Sequence, residues 1–257
     1  MIGIGFACCS ADQRRVLASI AIYVLAIFLL WRVDQLLKPF KLLAVFIHEF
    51  SHASACWLTG GSVVGLEVRL NEGGVTRYRG GCQRIVVPAG YLGGAVWGAV
   101  GTVACASAAG RLAIVGVLGA ALLYTLLGSL FLWRNVEARA TTASMALFFL
   151  FSLAAAVWLD QFYLPGRDVL LYVLLFLTTF VSVFSVYDIW DDCVRRYVSG
   201  SGETSDAVVC ARLCPILPAR GWGALWFLVA LALWAGGVVG VLALVRGRRA
   251  RPRFFIF

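Results

Sequence analysis

The sequence predicts an all-α polytopic membrane protein, with six or seven transmembrane helices and a short β-hairpin after the second. Three observations carry this. Of 257 residues, 61% are hydrophobic and only 14% charged, with a mean hydropathy of +0.89, whereas a soluble domain carries roughly a quarter charged residues to solvate its surface. The charges punctuate long apolar runs, which excludes an ordinary cytosolic enzyme, a disordered chain and a nucleic-acid binder exploiting the net charge of +9. The runs approach the ~20 residues a helix needs to cross hydrocarbon. They are too continuously apolar for barrel strands, which alternate over about ten residues, and an extended chain in lipid would leave its N–H and C=O groups unpaired.

The elements follow in order. Residues 16–31, between Arg15 and Arg32, hold sixteen uncharged positions, so this run spans with its flanking arginines snorkelling to the headgroups. Arg14 and Arg15 precede it as in a signal sequence, but Arg32 and Asp34 occupy the place of a cleavage site, and the run reads as a retained anchor. Residues 42–60 are interrupted by one acid, Glu49, and two histidines, whereas 85–110, 112–133, 140–159, 169–187 and 221–245 are uncharged throughout. In the run 85–110, Gly90, Gly94 and Gly98 set the small-xxx-small pattern that lets helices approach closely, which predicts a central position for that span. Between the second and third runs, Val64, Leu66, Val68 and Leu70 alternate with polar residues or glycine before Asn71-Glu72-Gly73-Gly74, predicting a β-hairpin over 63–78 at the membrane surface. The polar stretches 61–84 and 188–220 are each too short for a core of their own. The chain thus reads as one domain over 1–257, with an N-terminal anchor and link at 14–41, a catalytic core at 42–206, and a last span with a basic tail at 221–257.

His48-Glu49-Phe50-Ser51-His52 in the second run matches H-E-x-x-H. Residues four apart on a helix differ by about 40° in direction and 6 Å in height, so both imidazoles reach one ion. Glu49 lies between them in angle, where its carboxylate takes a proton from a metal-bound water and passes it to a leaving amine. These are the only two histidines in the chain, and they sit beside an acid in an apolar span, where an uncompensated charge costs several kcal/mol.

Zinc held by two histidines needs a third protein ligand, leaving the fourth position for water. Asp188, Asp191 and Asp192 close the sixth run. Depth and sidedness favour Asp188, with Asp192 as the alternative on the same helix face; Asp191 is turned away and reads as an interfacial partner of Arg195 or Arg196. Cys56 is about 12 Å along the axis from His48 and is set aside as a co-ligand. The eight cysteines form no C-x-x-C pair. Cys56 and Cys105 read as small apolar residues, Cys210 and Cys214 lack two further metal partners, and Cys8-Cys9 is a candidate palmitoylation site.

The motif blocks together resemble the M50B-like membrane metallopeptidases, relatives of the site-2 proteases. The blocks are His48 to His52, Asn71-Glu72-Gly73-Gly74-Val75-Thr76, Pro88-Ala89-Gly90-Tyr91-Leu92-Gly93-Gly94 and Tyr187-Asp188-Ile189-Trp190-Asp191-Asp192, within residues 46–206. The resemblance implies a zinc-dependent peptidase acting within or beside the bilayer on a membrane-protein or peptide substrate, with His48 and His52 as ligands, Glu49 as catalytic base and a distant aspartate completing the site. Site-2 proteases take that aspartate from an Asp-Gly pair, and here Asp188 precedes Ile189.

A substrate helix must be unwound before cleavage, and a hairpin edge can hold the extended segment as an added strand; a plain surface turn is the other reading of residues 63–78. With seven spans, twelve Lys and Arg fall on the side of the N-terminus and ten on the other, five of the ten in the C-terminal tail. Leaving the tail aside, this favours a cytosolic site, and the tail itself reads as a membrane-surface anchor. The competing function is a non-proteolytic metal-binding membrane protein, either a pseudo-peptidase chaperone or a small transporter.

Overall fold

A computed structural model describes residues 10–133, 137–195 and 205–246. Helix α1 (Ala11–Leu30) begins five residues before the charge-free run, because Ser10 and Gln13 close a capping box that satisfies the first free N–H groups. That start gives a helix of 20 residues whose first turns carry Asp12, Arg14 and Arg15 ahead of the charge-free run. The Gln13 side chain also donates to the Leu242 carbonyl at 2.8 Å, tying α1 to the last helix. Helix α2 (Asp34–Leu58) ends at Thr59, and Gly60 turns the chain with φ +81°. The hairpin follows as β1 (Ser62–Val68) and β2 (Gly74–Arg79), antiparallel, with Leu66 opposite Thr76 and an irregularity between Val63 and Gly65.

The remaining helices are α3 (Gln83–Ala104), α4 (Ala108–Leu127), α5 (Arg139–Trp158), α6 (Val169–Asp188), a short α7 (Asp206–Leu213) and α8 (Ala219–Arg246). Helices α4, α5 and α6 each run on into a π-helical turn, Gly128–Leu132, Leu159–Tyr163 and Ile189–Arg195. Among the described residues, six helices are long and apolar enough to cross a membrane: α1, α3, α8, and α4, α5 and α6 with their π-helical extensions. The protein is an integral, multi-pass membrane protein. Among the seven runs, α2 falls outside this set; it carries Asp34, Lys38, Lys41 and Glu49 and lies largely inside the bundle, with most residues from Leu37 to Cys56 buried.

Helix α3 is central. Its glycines let α2 and α6 approach, with Gly93 against Ser51 of α2, and Gly94, Gly98 and Gly101 against Ser185, Ser182 and Thr178 of α6. Thr102 and Thr178 add a buried interhelical hydrogen bond of 3.1 Å. Such bonds hold helices together where lipid provides no hydrophobic driving force between them. The hairpin is fastened twice around its turn. At its turn, Glu72, with φ +66°, accepts from Lys38 at 2.9 Å and Lys41 at 3.3 Å. Beside the turn, near the end of β1, the fully buried Glu67 accepts from Arg69 and Arg77 and from the backbone N–H groups of Glu137 and Ala138. Burial opposes ionisation of Glu67, but these four donors hold its carboxyl below the usual carboxylate range. Cys8, Cys9 and the basic tail beyond Arg246 lie outside the described residues.

Candidate metal centre

Helical periodicity brings His48 and His52 onto one face of α2, where their Nε2 atoms stand 3.1 Å apart. The carboxylate that meets them is Asp206, at the start of α7. Its Oδ2 lies 3.4 Å from His48 Nε2 and 3.2 Å from His52 Nε2. Among the described residues, this His-His-Asp group is the one set of metal-ligating side chains whose atoms converge, within 4.8 Å of one another.

The three edges match what zinc requires. Tetrahedral bonds of about 2.0–2.1 Å put neighbouring ligand atoms about 3.3 Å apart, and the edges here are 3.1, 3.2 and 3.4 Å. His52 Nδ1 lies 2.7 Å from the Val86 carbonyl, so it carries the proton and Nε2 keeps the lone pair that ligation needs. Asp206 Oδ2 is buried and meets no donor in hydrogen-bonding geometry among the described residues. Burial opposes ionisation of Asp206, yet in their protonated form the two imidazoles beside it hold its carboxyl below the usual carboxylate range. Space for the group comes from Gly90 of α3, where a Cβ would lie 2.4 Å from both Nε2 atoms.

Glu49 is 6% exposed and lies under β2. Thr76 Oγ1 is 2.7 Å from Glu49 Oε2 and 2.9 Å from the Glu49 carbonyl oxygen, and a Cβ on Gly74 would strike the Glu49 side chain at 2.5 Å. Gly74, Thr76 and Tyr78 are alternate residues of β2 and share one face. Burial, and then the charge of Asp206, push the Tyr78 phenol above its ordinary value. The strand thus runs from Glu49 towards Asp206.

The aspartates anticipated at the end of α6 have other places. Asp192 accepts from the Tyr91 hydroxyl at 3.2 Å, Asp191 pairs with Arg195, and Asp188, like Asp192, does not join the imidazoles. The carboxylate beside the two imidazoles is that of Asp206, and neither the expected Asp188 nor its alternative Asp192 stands there. The shared face expected for Asp188 and Asp192 does not form, because the winding changes between them, where the π-helical turn Ile189–Arg195 begins. Asp206 carried a local signal of its own, an acid after Ser205 opening an apolar run, but that is a helix-start pattern and not a ligand pattern. Cys56 is buried beside Ala55 and Val86, as a small apolar residue. Among the described residues, Cys210 and Cys214 belong to no metal-ligating group.

Fold and site together define a multi-pass membrane protein with a His-His-carboxylate cluster enclosed by its helices. The sequence profile of the Peptidase M50B-like family matches residues 20–237. The match covers most of the chain, and the protein belongs to this family of peptidases. Comparison with curated proteins and with solved structures finds no match.

Proposed function

We propose that the protein is an intramembrane zinc metallopeptidase that hydrolyses peptide bonds within or beside the bilayer, with His48, His52 and Asp206 as ligands and Glu49 as general base. The observation that carries this is the triangle of two Nε2 atoms and one carboxylate oxygen, with edges of 3.1 to 3.4 Å, one residue from a buried glutamate. Bound zinc supplies a Lewis acid that polarises the scissile carbonyl and lowers the pKa of water. Glu49 accepts the proton of the attacking water and returns it to the leaving amine. The Thr76 hydroxyl, 2.7 Å from Glu49 Oε2, fixes the carboxylate that does so.

The hairpin supports a role in holding substrate. Val68 of β1 exchanges hydrogen bonds with Thr142 of α5, at 2.9 Å to its N–H and 3.3 Å to its carbonyl, so the outer edge of β1 is capped there. Strand β2, which touches Glu49, pairs with no third strand among the described residues. An unwound substrate segment added to the β2 edge would run past the proposed base.

Zinc content and cleavage of a single-span membrane substrate, measured on purified protein in detergent, test the proposal. Glu49→Gln is expected to keep stoichiometric zinc and to lower cleavage by about 100-fold or more. Asp206→Ala is expected to lose zinc, and Asp188→Ala to retain it. Zinc unaffected by Asp206→Ala would overturn the ligand set, and a zinc-loaded parent without cleavage of any membrane substrate would favour a non-proteolytic metal protein.

A further inference from the structure

The two imidazoles are held in place by different means. His52 is oriented by a hydrogen bond from its Nδ1–H to the Val86 carbonyl, the usual way in which a ligand imidazole is fixed. For His48, among the described residues, no carbonyl or carboxylate takes that place at Nδ1, and its side chain is more exposed, at 19% against 10%. What meets the His48 ring is Tyr91 of α3, edge-to-face with centroids 4.6 Å apart and planes at 84°. Tyr91 is itself fixed at three points. Its backbone sits one residue after Gly90, its ring packs against Trp226 at 5.8 Å, and its hydroxyl donates to Asp192 Oδ2 at 3.2 Å. Helix α3 therefore supplies the support for both histidines, a carbonyl for one and a ring for the other.

We propose that Tyr91, anchored at its hydroxyl by Asp192, is the positioning residue for His48 and sets the affinity of the metal centre. The inference rests on the ligand set proposed above. A buried phenol has only two side-chain torsions, and a hydrogen bond at its far end removes both. The ring then stands as a fixed wall that keeps the more exposed imidazole turned towards Asp206 and His52 before any ion binds. Asp192 thereby serves the centre from one layer out, through Tyr91. Removing such support from a ligand weakens metal affinity without removing a ligand.

The test uses the full chain in detergent micelles, with zinc affinity read by chelator competition and ligand geometry by the absorption of the cobalt-substituted protein. Tyr91→Leu is expected to weaken zinc binding about 10-fold, and Tyr91→Phe or Asp192→Ala, which spare the ring but release its anchor, about 3-fold. Asp192→Asn, which keeps an acceptor, is expected to stay close to the parent. In a His48→Ala background, Tyr91→Leu is expected to cause no further loss; a loss by the same factor there would mean that Tyr91 serves general packing, and would overturn the inference. Unchanged affinity in Tyr91→Leu would overturn it as well. Should that variant fail to fold, unchanged affinity in both Tyr91→Phe and Asp192→Ala decides against it. A parent that binds no zinc overturns the ligand set itself, a failure distinct from that of Tyr91.

Discussion

Helices α3 and α4 are neighbours in sequence, both apolar and both rich in glycine, and they differ in what the glycines meet. In α3, a Cβ at Gly90, Gly93, Gly94, Gly98 or Gly101 would fall within 2.6 Å of a side-chain atom of α2 or α6. In α4, Gly116 and Gly119 have nothing within 4 Å. More than half of the α3 span is buried, 56%, against 39% for α4 with its extension. Glycine at helical spacing therefore marks close packing only where another helix stands opposite, here with Ser182, Ser185, Thr178, Ser51 and the two imidazoles. In α4 it marks a surface that faces outward.

The largest break in this contrast is expected from Gly90→Ala. Alanine improves helix propensity, yet its Cβ would stand between the two ligand nitrogens, so purified protein should lose stoichiometric zinc by elemental analysis while keeping its helical circular dichroism. Next comes the polar fastening of the hairpin. Glu67→Gln leaves Arg69 and Arg77 without their buried carboxylate and is expected to cost about 3 kcal/mol in denaturant titration. Because the folded carboxyl of Glu67 titrates below its unfolded value, its contribution is fully present above the unfolded value of about 4.3. It fades as pH falls through the folded value, so melting temperatures of the parent should drop on acidification more steeply than those of Glu67→Gln.

A smaller effect sharpens the comparison within α3. Gly98→Ala would bring a Cβ to 2.3 Å from Ser182 Oγ and 3.0 Å from its backbone nitrogen, and the separation of α3 from α6 should cost about 2 kcal/mol in a thermal or denaturant melt. The smallest change, and of opposite sign, is expected in α4. Gly116→Ala meets open space and should stabilise by about 0.5 kcal/mol through helix propensity alone. A destabilisation equal to that of Gly98→Ala would erase the distinction between the two helices.

The legible parts of the molecule were those encoded over a few residues. The hairpin was readable because period-2 alternation and Asn71-Glu72-Gly73-Gly74 both act locally, and β1 and β2 fall within a residue of the expected 63–78. The pairing of His48 with His52 was readable because both lie on one helix, where spacing fixes direction. Two readings turned on context. The helix through residues 16–31 starts earlier than the charge-free run, because Ser10 and Gln13 cap it. Asp188 and Asp192 looked aligned until the helix rewound at Ile189. The glycines of α3 were read for helix packing, whereas Gly90 does its work at the imidazoles, a role that depends on what stands opposite.

By itself, then, the sequence determined a membrane-embedded helical chain, two imidazoles and an acid on one helix, and a hairpin beside them, since apolar length, helical period and turn chemistry are all short-range properties. Only the tertiary structure decided that Asp206 completes the group, that Thr76 and Gly74 close over Glu49, and that Tyr91 backs His48. Those juxtapositions join residues far apart along the chain, and the path between them is set by how whole helices pack, which no local pattern encodes.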